Sequence, residues 1–434
     1  MKRPCRNASQ TSIIKMRELH PIPLKTFNFN WMKFKINILL IILLIFSLSL
    51  NTFSSVGTSQ NRDEPWKFED VISLPVSPVE DQHRSGTCWA FAGLSFLQSE
   101  MMRMGKSDIN LSEMFIVWHT YAEKARKYVR VHGHLNFSPG GAFHDVTNVI
   151  NEYGIVPESV YTGLKYGEEK HVHGEMDRVL EEYVKGVVEN KNRKLSSAWH
   201  DAYTQILNTY LGEIPQNFEY DGKKYTPLSF AENLKLNMSD YVEITSYTHH
   251  PFYSKFIIEI PDNWSWDEVY NVPLNELEEI IDYSLENGYT VAWAADVSEK
   301  GFASGSKGIA VVPAAPQIDM SDAEISRWEG LSERERENEL YKLDKPVPEL
   351  EITQEMRQIA YDNFQTTDDH GMHIIGKAKD ARGQTFYKIK NSWGDYNLYK
   401  GYFYASKPYV SYKTMSIMLH KDAIPPAIRK KLNL

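Results

Sequence analysis

The sequence is short of cysteine and of positive charge. Only Cys5 and Cys88 occur among its 434 residues, so a disulfide framework is excluded. Asp and Glu outnumber Lys and Arg by 57 to 48, and the formal net charge of -9 argues against non-specific binding of nucleic acid. No internal repeat or low-complexity tract is evident. With 42% hydrophobic residues, the chain is expected to be globular with one large or two moderate cores.

The N-terminal part lacks an apolar run of the roughly 20 residues that a membrane-spanning helix needs. Its apolar segment, Ile36–Leu50, is interrupted by Asn37, follows the basic segment Met32–Lys35 and precedes the small and polar residues Asn51–Ser59. This order is typical of a signal peptide that is cleaved on export. Residues 1–60 are therefore predicted to be an N-terminal extension and signal peptide, with no stable membrane insertion after cleavage. An uncleaved membrane anchor is the alternative.

Histidine occurs in pairs that invite interpretation as metal ligands. None of the pairs has companion ligands at a spacing that would complete a tetrahedral zinc site. No metal and no other cofactor is therefore expected. The pairs are His132 and His134, His171 and His173, and His249 and His250.

Cys88 lies where a loop meets a helix. The preceding segment, Asp81–Thr87 (DQHRSGT), is polar and contains a glycine, whereas the following WAFAGLSFLQSEMMRMG has apolar residues at helical spacing as far as Gly105. Unpaired N–H groups and the positive end of a helix dipole favour a thiolate, so Cys88 is predicted to be a nucleophile. Exported proteins usually pair their cysteines or lack them, which also favours a reactive group. The alternative is a small buried hydrophobic residue.

A thiolate nucleophile needs a base and a group that orients the base. The segments Asp368–Ala378 (DDHGMHIIGKA) and Gln384–Asp395 (QTFYKIKNSWGD) read as a β-hairpin pair. His370 at the start of the first strand and Asn391 at the end of the second would lie at the same end of the sheet. This is the geometry for an imidazole whose far nitrogen is held by an amide. His373 would point to the opposite face, because side chains alternate along a strand.

Three motifs around these residues resemble the signatures of papain-like cysteine peptidases: Q-x5-C-W-A-F, HG-x4-G and NSWG. Secreted members of that superfamily have a disulfide partner where this chain has Ser85, and its absence points to the bleomycin hydrolase and aminopeptidase C branch. The resemblance to that branch covers roughly residues 65–420. Further matching segments are LSEMFI, PGGAFHDVTNVINEYGIVPESVY, IPDNW, VYNVPLNELEEIIDYSLENGYTVAWAADVSEKGF and TTDDHGM.

The resemblance implies a role for each matching residue. Cys88 would be the nucleophile, His370 first the base and then the acid, and Asn391 the group that orients the imidazole. Gln82 would donate its side-chain N–H to the oxyanion beside the backbone N–H of Cys88. Trp393 would cover the bond between His370 and Asn391, and two glycines would let a substrate backbone approach, with an ordinary turn as their alternative. The residues assigned to substrate binding are Gly140, Gly141 and Trp393.

The fold implied by the resemblance is an α+β, papain-like fold with two lobes. Residues 61–434 would form the peptidase domain. Within it, 61–160 would be a helical lobe that carries the nucleophile, 161–240 a helical insertion, and 241–434 a β-rich, β-barrel-like lobe that carries the base and its amide partner.

The expected activity is hydrolysis of peptide bonds by an exported bacterial enzyme, periplasmic or secreted, through a Cys88 thioester. Peptides are the expected substrates, and the resemblance also suggests a homo-oligomer. Aminopeptidase action is the first expectation, with an endopeptidase or a dipeptide-releasing enzyme as the alternative. A catalytically silent peptide-binding relative and acyl transfer to an amine are further alternatives.

The resemblance further implies a C-terminal tail whose terminal carboxylate receives the free amino group of a substrate. This sequence ends HKDAIPPAIRKKLNL, where Lys430 and Lys431 would place positive charge near that amine and disfavour its binding. A tail too short to reach the cleft would leave it open, which keeps the endopeptidase alternative in consideration.

Overall fold

The computed structural model describes residues 66–106, 109–192, 194–314 and 322–434. The predicted signal peptide, and with it all of residues 1–60, lies outside this range. Within the described part of the chain, no helix combines the length and apolar character that a membrane crossing requires.

Helices predominate between residues 88 and 234, and several begin at a hydroxyl cap. Ser112 accepts a hydrogen bond from the N–H of Phe115, which satisfies one of the free donors of a helix start. Two short 3-10 turns lie at Met238–Asp240 and Lys421–Ala423. The helices are α1 (Cys88–Arg103), α2 (Glu113–Arg130), α3 (Phe143–Tyr153), α4 (Gly174–Val188), α5 (Ala198–Leu211), α6 (Pro227–Leu234), α7 (Leu274–Glu286), α8 (Asp322–Glu329), α9 (Glu333–Leu340), α10 (Gln354–Asp362), α11 (Lys407–Lys413) and α12 (Pro426–Lys431).

The helices α1 to α6 share one hydrophobic core. Helix α1 is buried along nearly its whole length, from Trp89 to Met101. The predicted helices of the segment 161–240 are present as α4 and α5, and their buried residues Leu180 and Leu207 belong to the same core. Both helices therefore pack into the core shared by α1 to α6, whereas residues 218–225 of the segment form a short hairpin. The division of the chain into a lobe and an insertion stays a prediction.

The strands form one large sheet and one small hairpin. The large sheet has the order β5-β6-β4-β13-β7-β10-β11-β12-β9-β8, with β1 paired to β10, while β2 and β3 pair only with each other. The pairs β4 with β6 and β9 with β12 are parallel. The strands are β1 (Phe68–Ser73), β2 (Phe218–Tyr220), β3 (Lys223–Tyr225), β4 (Tyr241–Thr245), β5 (Lys255–Ile257), β6 (Glu268–Asn271), β7 (Val291–Ala295), β8 (Phe302–Ala303), β9 (Ile309–Ala310), β10 (His370–Asp380), β11 (Thr385–Lys390), β12 (Tyr402–Ser406) and β13 (Thr414–His420).

Strand β10 pairs with three strands and contacts two helices. It pairs antiparallel with β11, as predicted, and with β7 on its other side. Helix α1 packs against β10, as does α7. The helix that begins with Cys88 and the strand that begins with His370 are therefore direct neighbours.

The C-terminal residues pack against the sheet-rich half. Ile428 and Leu432 are buried in the same core as α7, and Lys431 pairs with Glu276 of α7 at 2.5 Å. Lys430 and Lys431 do not line the pocket around Cys88, so the positive charge expected beside a substrate amine lies elsewhere.

Candidate active site

Cys88 is the first residue of α1, and its side chain is partly buried. The next residue, Trp89, anchors this end of the helix, because it is only 2% exposed and its Nε1 donates to the carbonyl oxygen of Pro139 at 3.2 Å. The predicted position of Cys88 at a helix start is therefore confirmed, with the helix ending at Arg103 rather than Gly105.

His370 and Asn391 are joined by a hydrogen bond. His370 Nε2 lies 2.7 Å from Asn391 Oδ1. Because a carboxamide oxygen can only accept, Nε2 carries the hydrogen and the lone pair of the neutral ring is on Nδ1. Asn391 Oδ1 also accepts from the backbone N–H of Ser392 at 2.8 Å, and Asn391 Nδ2 donates to the hydroxyl of Tyr396 at 3.1 Å. Both the oxygen and the nitrogen of the Asn391 amide are thus hydrogen-bonded within the protein.

Trp393 packs on the imidazole instead of lining the pocket. Its ring stacks on that of His370, with centroids 4.7 Å apart and an interplanar angle of 27°. This position covers the His370–Asn391 bond on one face, as expected. The assignment of Trp393 to substrate binding stays a prediction.

One pocket contains both reactive side chains. Cys88 and His370 line it, together with backbone from the glycine-containing loop before α3 and three aspartates from other segments. The lining residues are Cys88, Trp89, Gly141, Ala142, Phe143, Ile260, Asp262, Ala294, Asp368, Asp369, His370, Gly371 and Ser416.

Gln82 is held by the segment that carries Asn391. Its Oε1 accepts from Ser392 Oγ at 2.6 Å, and its backbone N–H donates to the carbonyl oxygen of Ser392 at 2.9 Å. Since the amide oxygen is engaged, the NH2 end of Gln82 is the end left for a substrate. Ser392 lies within the NSWG motif but was not recognised as a site residue from the sequence.

The glycines before α3 allow close approach of the protein's own side chains. A Cβ on Gly140 would lie 1.9 Å from Asp262 Oδ2, and a Cβ on Gly141 would lie 2.7 Å from Asp145 Oδ2 and 2.8 Å from the Trp89 ring. Of the two, Gly141 lines the pocket. Contact of Gly140 and Gly141 with a substrate stays a prediction.

Three aspartates of this pocket were not recognised as site residues from the sequence. Asp262 belongs to the IPDNW segment, and Asp368 and Asp369 belong to TTDDHGM, in which only the histidine received a role. Trp264 of the first segment is buried. Side chains alternate along a strand, so the sequence places Asp368 on the same face as His370 and opposite to His373.

The surroundings of the Cys88 thiol oppose its ionisation. Burial raises its pKa to about 12, and the charges of Asp368 and Asp262 raise it as well, while the backbone N–H groups of Gly371 and Trp89 act in the opposite direction. Burial therefore opposes the thiolate that the helix start favours, and the role of Cys88 as a nucleophile stays a prediction.

The surroundings of His370 likewise oppose its protonation. Burial lowers the pKa of the imidazole to about 4, against the hydrogen bond to Asn391 and the charge of Asp369. Each ion alone is costly here, but a thiolate and an imidazolium formed together in one pocket stabilise each other.

The other histidines lie apart from this pair. His373 is buried, and its Nδ1 lies 3.0 Å from Ser95 Oγ. It does not line the pocket of Cys88, so the choice of His370 as the partner of Cys88 agrees with the structure. His249 and His250 both contact Glu259, at 3.1 and 3.2 Å, a companion that the spacing along the chain did not reveal.

The sequence matches the Peptidase C1-like family over residues 51–313 and 325–434. The chain belongs to this family. Two relatives of this Peptidase C1-like protein are similar over most of their length. Aminopeptidase C of Lactococcus lactis subsp. cremoris is 23% identical over 394 residues, which cover 82% of this chain and 83% of the relative. Aminopeptidase E of Lactobacillus helveticus is 23% identical over 391 residues, which cover 80% and 82%.

A solved structure shows the same fold for the Peptidase C1-like chain. The crystal structure of PepW from Lactobacillus rhamnosis HN001 superposes with a TM-score of 0.62 at 20% identity, and the match covers 84% of each chain. The predicted α+β, papain-like fold and the recognition of a papain-like cysteine peptidase are confirmed.

Proposed function

We propose that this chain is an exported aminopeptidase that hydrolyses the first peptide bond of its substrates through a thioester on Cys88. The observation that carries this proposal is the pocket shared by Cys88 and His370, with the far nitrogen of the imidazole held by Asn391. The names of the two relatives, which match over most of their own length, favour aminopeptidase action.

The reaction follows from this arrangement in two stages. In the first, the Cys88 thiol gives its proton to His370 Nδ1 while Sγ attacks the substrate carbonyl carbon. The tetrahedral intermediate then collapses, and His370 returns the proton to the leaving amine. In the second, His370 takes a proton from water, the resulting hydroxide attacks the thioester carbonyl, and the acid and the free thiol are released.

The negative oxygen of each intermediate needs donors that are already in place. The backbone N–H of Cys88 and the side-chain NH2 of Gln82 are the groups proposed for this role. The bond from Ser392 to the oxygen of Gln82 fixes which end of that amide is available. Preformed donors of this kind require no reorganisation during the reaction.

The first test compares the wild-type enzyme with Cys88→Ala and Cys88→Ser on an unblocked peptide, with products followed by mass spectrometry. Wild type should release single N-terminal residues, and both variants should lose activity by a factor on the order of 10⁴ or more. Their circular dichroism and thermal unfolding should match the wild type, because the partly buried thiol contributes little packing. Substantial hydrolysis by a folded Cys88→Ala protein would rule out the proposed mechanism.

The second test asks where the enzyme cuts, and uses the same peptide with a free and with an acetylated N-terminus. Removal of single residues from the free peptide alone supports aminopeptidase action. Equal cleavage of both peptides at internal bonds would establish an endopeptidase, and release of dipeptides a dipeptide-releasing enzyme. A parallel reaction with an added amine shows whether acyl transfer competes with hydrolysis.

A further inference from the structure

The pocket around the Cys88 thiol is acidic. Asp262 and Asp368 reach it from segments far apart in the chain, and no Lys or Arg is among the described residues that line it. The charges of both aspartates act on the thiol. A pocket with this charge favours a substrate group that is positive.

Asp262 occupies a place that is built for its carboxylate. Its Oδ1 accepts from Asn136 Nδ2 at 3.2 Å and from Ser138 Oγ at 3.0 Å. Its Oδ2 lies where a Cβ on Gly140 would be only 1.9 Å away, so a residue with a side chain does not fit there without displacing the carboxylate. Among the described residues, the hydrogen bonds to Asp262 all reach Oδ1, which leaves Oδ2 as an acceptor.

Asp368 has more unused hydrogen-bond acceptor sites than Asp262. It lies two residues before His370, on the same side of the extended chain, and both line the pocket. Its neighbour Asp369 is satisfied by the backbone N–H groups of Val297 and Ser298, at 3.3 and 3.1 Å. Within the described part of the chain, no comparable donor reaches Asp368. Burial, followed by the charge of Asp262, raises the pKa of Asp368 well above its usual range.

We infer that Asp368, assisted by Asp262, binds the α-ammonium group of the substrate. The inference rests on the aminopeptidase function proposed above and names the residues that would make the enzyme select a free N-terminus. In such a substrate the α-nitrogen is two bonds of about 1.5 Å from the carbonyl carbon that Cys88 attacks. Its acceptor must therefore lie in the same pocket as the thiol, as both carboxylates do.

The test uses three substrates of one sequence, with a free α-amine, an acetylated amine, and hydrogen in place of the amine. They are compared on wild type, Asp368→Asn, Asp262→Asn and Asp344→Asn. Asp344 is the matched control, because its carboxylate is 69% exposed, pairs with Lys307 and does not line the pocket.

We expect Asp368→Asn to lower kcat/KM for the free-amine peptide by about 10-fold to 100-fold, the range for a lost hydrogen bond to a charged group. Hydrolysis of the two amine-free substrates should stay level or rise, and Asp262→Asn should show the same selective loss. Asp344→Asn should match wild type. Iodoacetamide should alkylate Cys88 in each variant as in wild type, which verifies that the site is intact.

The outcomes separate this inference from the function on which it rests. A wild-type enzyme that cuts all three substrates equally overturns both. A wild-type enzyme that requires the free amine, together with folded Asp368→Asn and Asp262→Asn proteins that keep the full requirement, overturns only the assignment of these carboxylates. If Asp368→Asn does not fold, Asp262→Asn decides by the same comparison.

Discussion

Single residues of this site depend on neighbours that take no part in the chemistry. Ser392 is the clearest case, since its hydroxyl holds the amide oxygen of Gln82 and its backbone N–H holds that of Asn391. One residue of the NSWG segment thus contacts both Gln82 and Asn391. The histidine and the amide could be named from local sequence, but this contact joins residues 310 positions apart.

Removal of Gln82 and of Ser392 should have effects of different size. Gln82→Ala should lower kcat by about 10² to 10³, the usual cost of one oxyanion donor. Ser392→Ala should lower it by up to about 10-fold, because the donor remains but is less well oriented. Steady-state kinetics of the single and double variants test whether Ser392 acts through Gln82. If Ser392 acts through Gln82, Ser392→Ala should have no added effect in the Gln82→Ala protein, whereas additive losses would contradict that role.

Gly140→Ala tests whether binding of the free amine depends on the position of the Asp262 carboxylate. The added Cβ would lie 1.9 Å from Oδ2, so the carboxylate must move. We expect a higher KM for peptides with a free amine and little change for acetylated ones. Gly186→Ala in α4 is the control, because no atom lies within 4 Å of its Cβ position. Equal kinetics for the two variants would show that KM for free-amine peptides does not depend on the position of Asp262.

At the scale of elements, a buried ion pair joins the helical lobe to the sheet. His144 of α3 and Glu243 of β4 are both buried, with His144 Nδ1 3.1 Å from Glu243 Oε1 and the His144 backbone N–H 2.7 Å from the same oxygen. Burial opposes protonation of His144, but the charge and hydrogen bond of Glu243, together with the charges of Asp145 and Asp267, outweigh it and raise the pKa of the imidazole to about 9. The contact is therefore an ion pair at neutral pH.

This pair should make stability depend on pH. A group whose pKa is raised on folding stabilises the protein fully below its unfolded pKa, near 6.5, and loses that contribution as pH rises through about 9. The free energy of unfolding should fall over this range by at most about 3 kcal/mol. The two pKa values differ by about 2.5, and a pKa difference of one corresponds to about 1.36 kcal/mol. Urea unfolding at several pH values measures it. His144→Gln should flatten the profile, and an unchanged slope in that variant would assign the effect elsewhere.

At the scale of the whole molecule, export is the property that the N-terminal sequence predicts. Mass spectrometry of the mature protein from its native host should find an N-terminus between about Asn51 and Arg62, after the apolar segment. Cys88 would then be the single cysteine, and a thiol-directed electrophile should label the protein once. Recovery of a chain that begins at Met1 or Met32 from the soluble cytoplasmic fraction would contradict export.

Local sequence by itself determined the elements that carry the reactive groups. The polar loop and apolar spacing around Cys88, and the alternating strands between His370 and Asn391, depend on residues close together in the chain, and the structure contains that helix start and that hairpin. Periodicity reports such elements reliably, because the same local spacing decides which face of a helix or strand is buried.

Only the tertiary structure decided what surrounds those groups. Asp262 reaches the pocket of Cys88 from a distant segment, and no pattern along the chain predicts that it lies there. The ionisation of the thiol depends on this environment: the helix start favours the thiolate, but burial opposes it, and the charges of Asp368 and Asp262 do so as well. Burial and the distances between charges are properties of the folded chain, so the sequence singled out Cys88, whereas the fold sets how readily its thiol ionises.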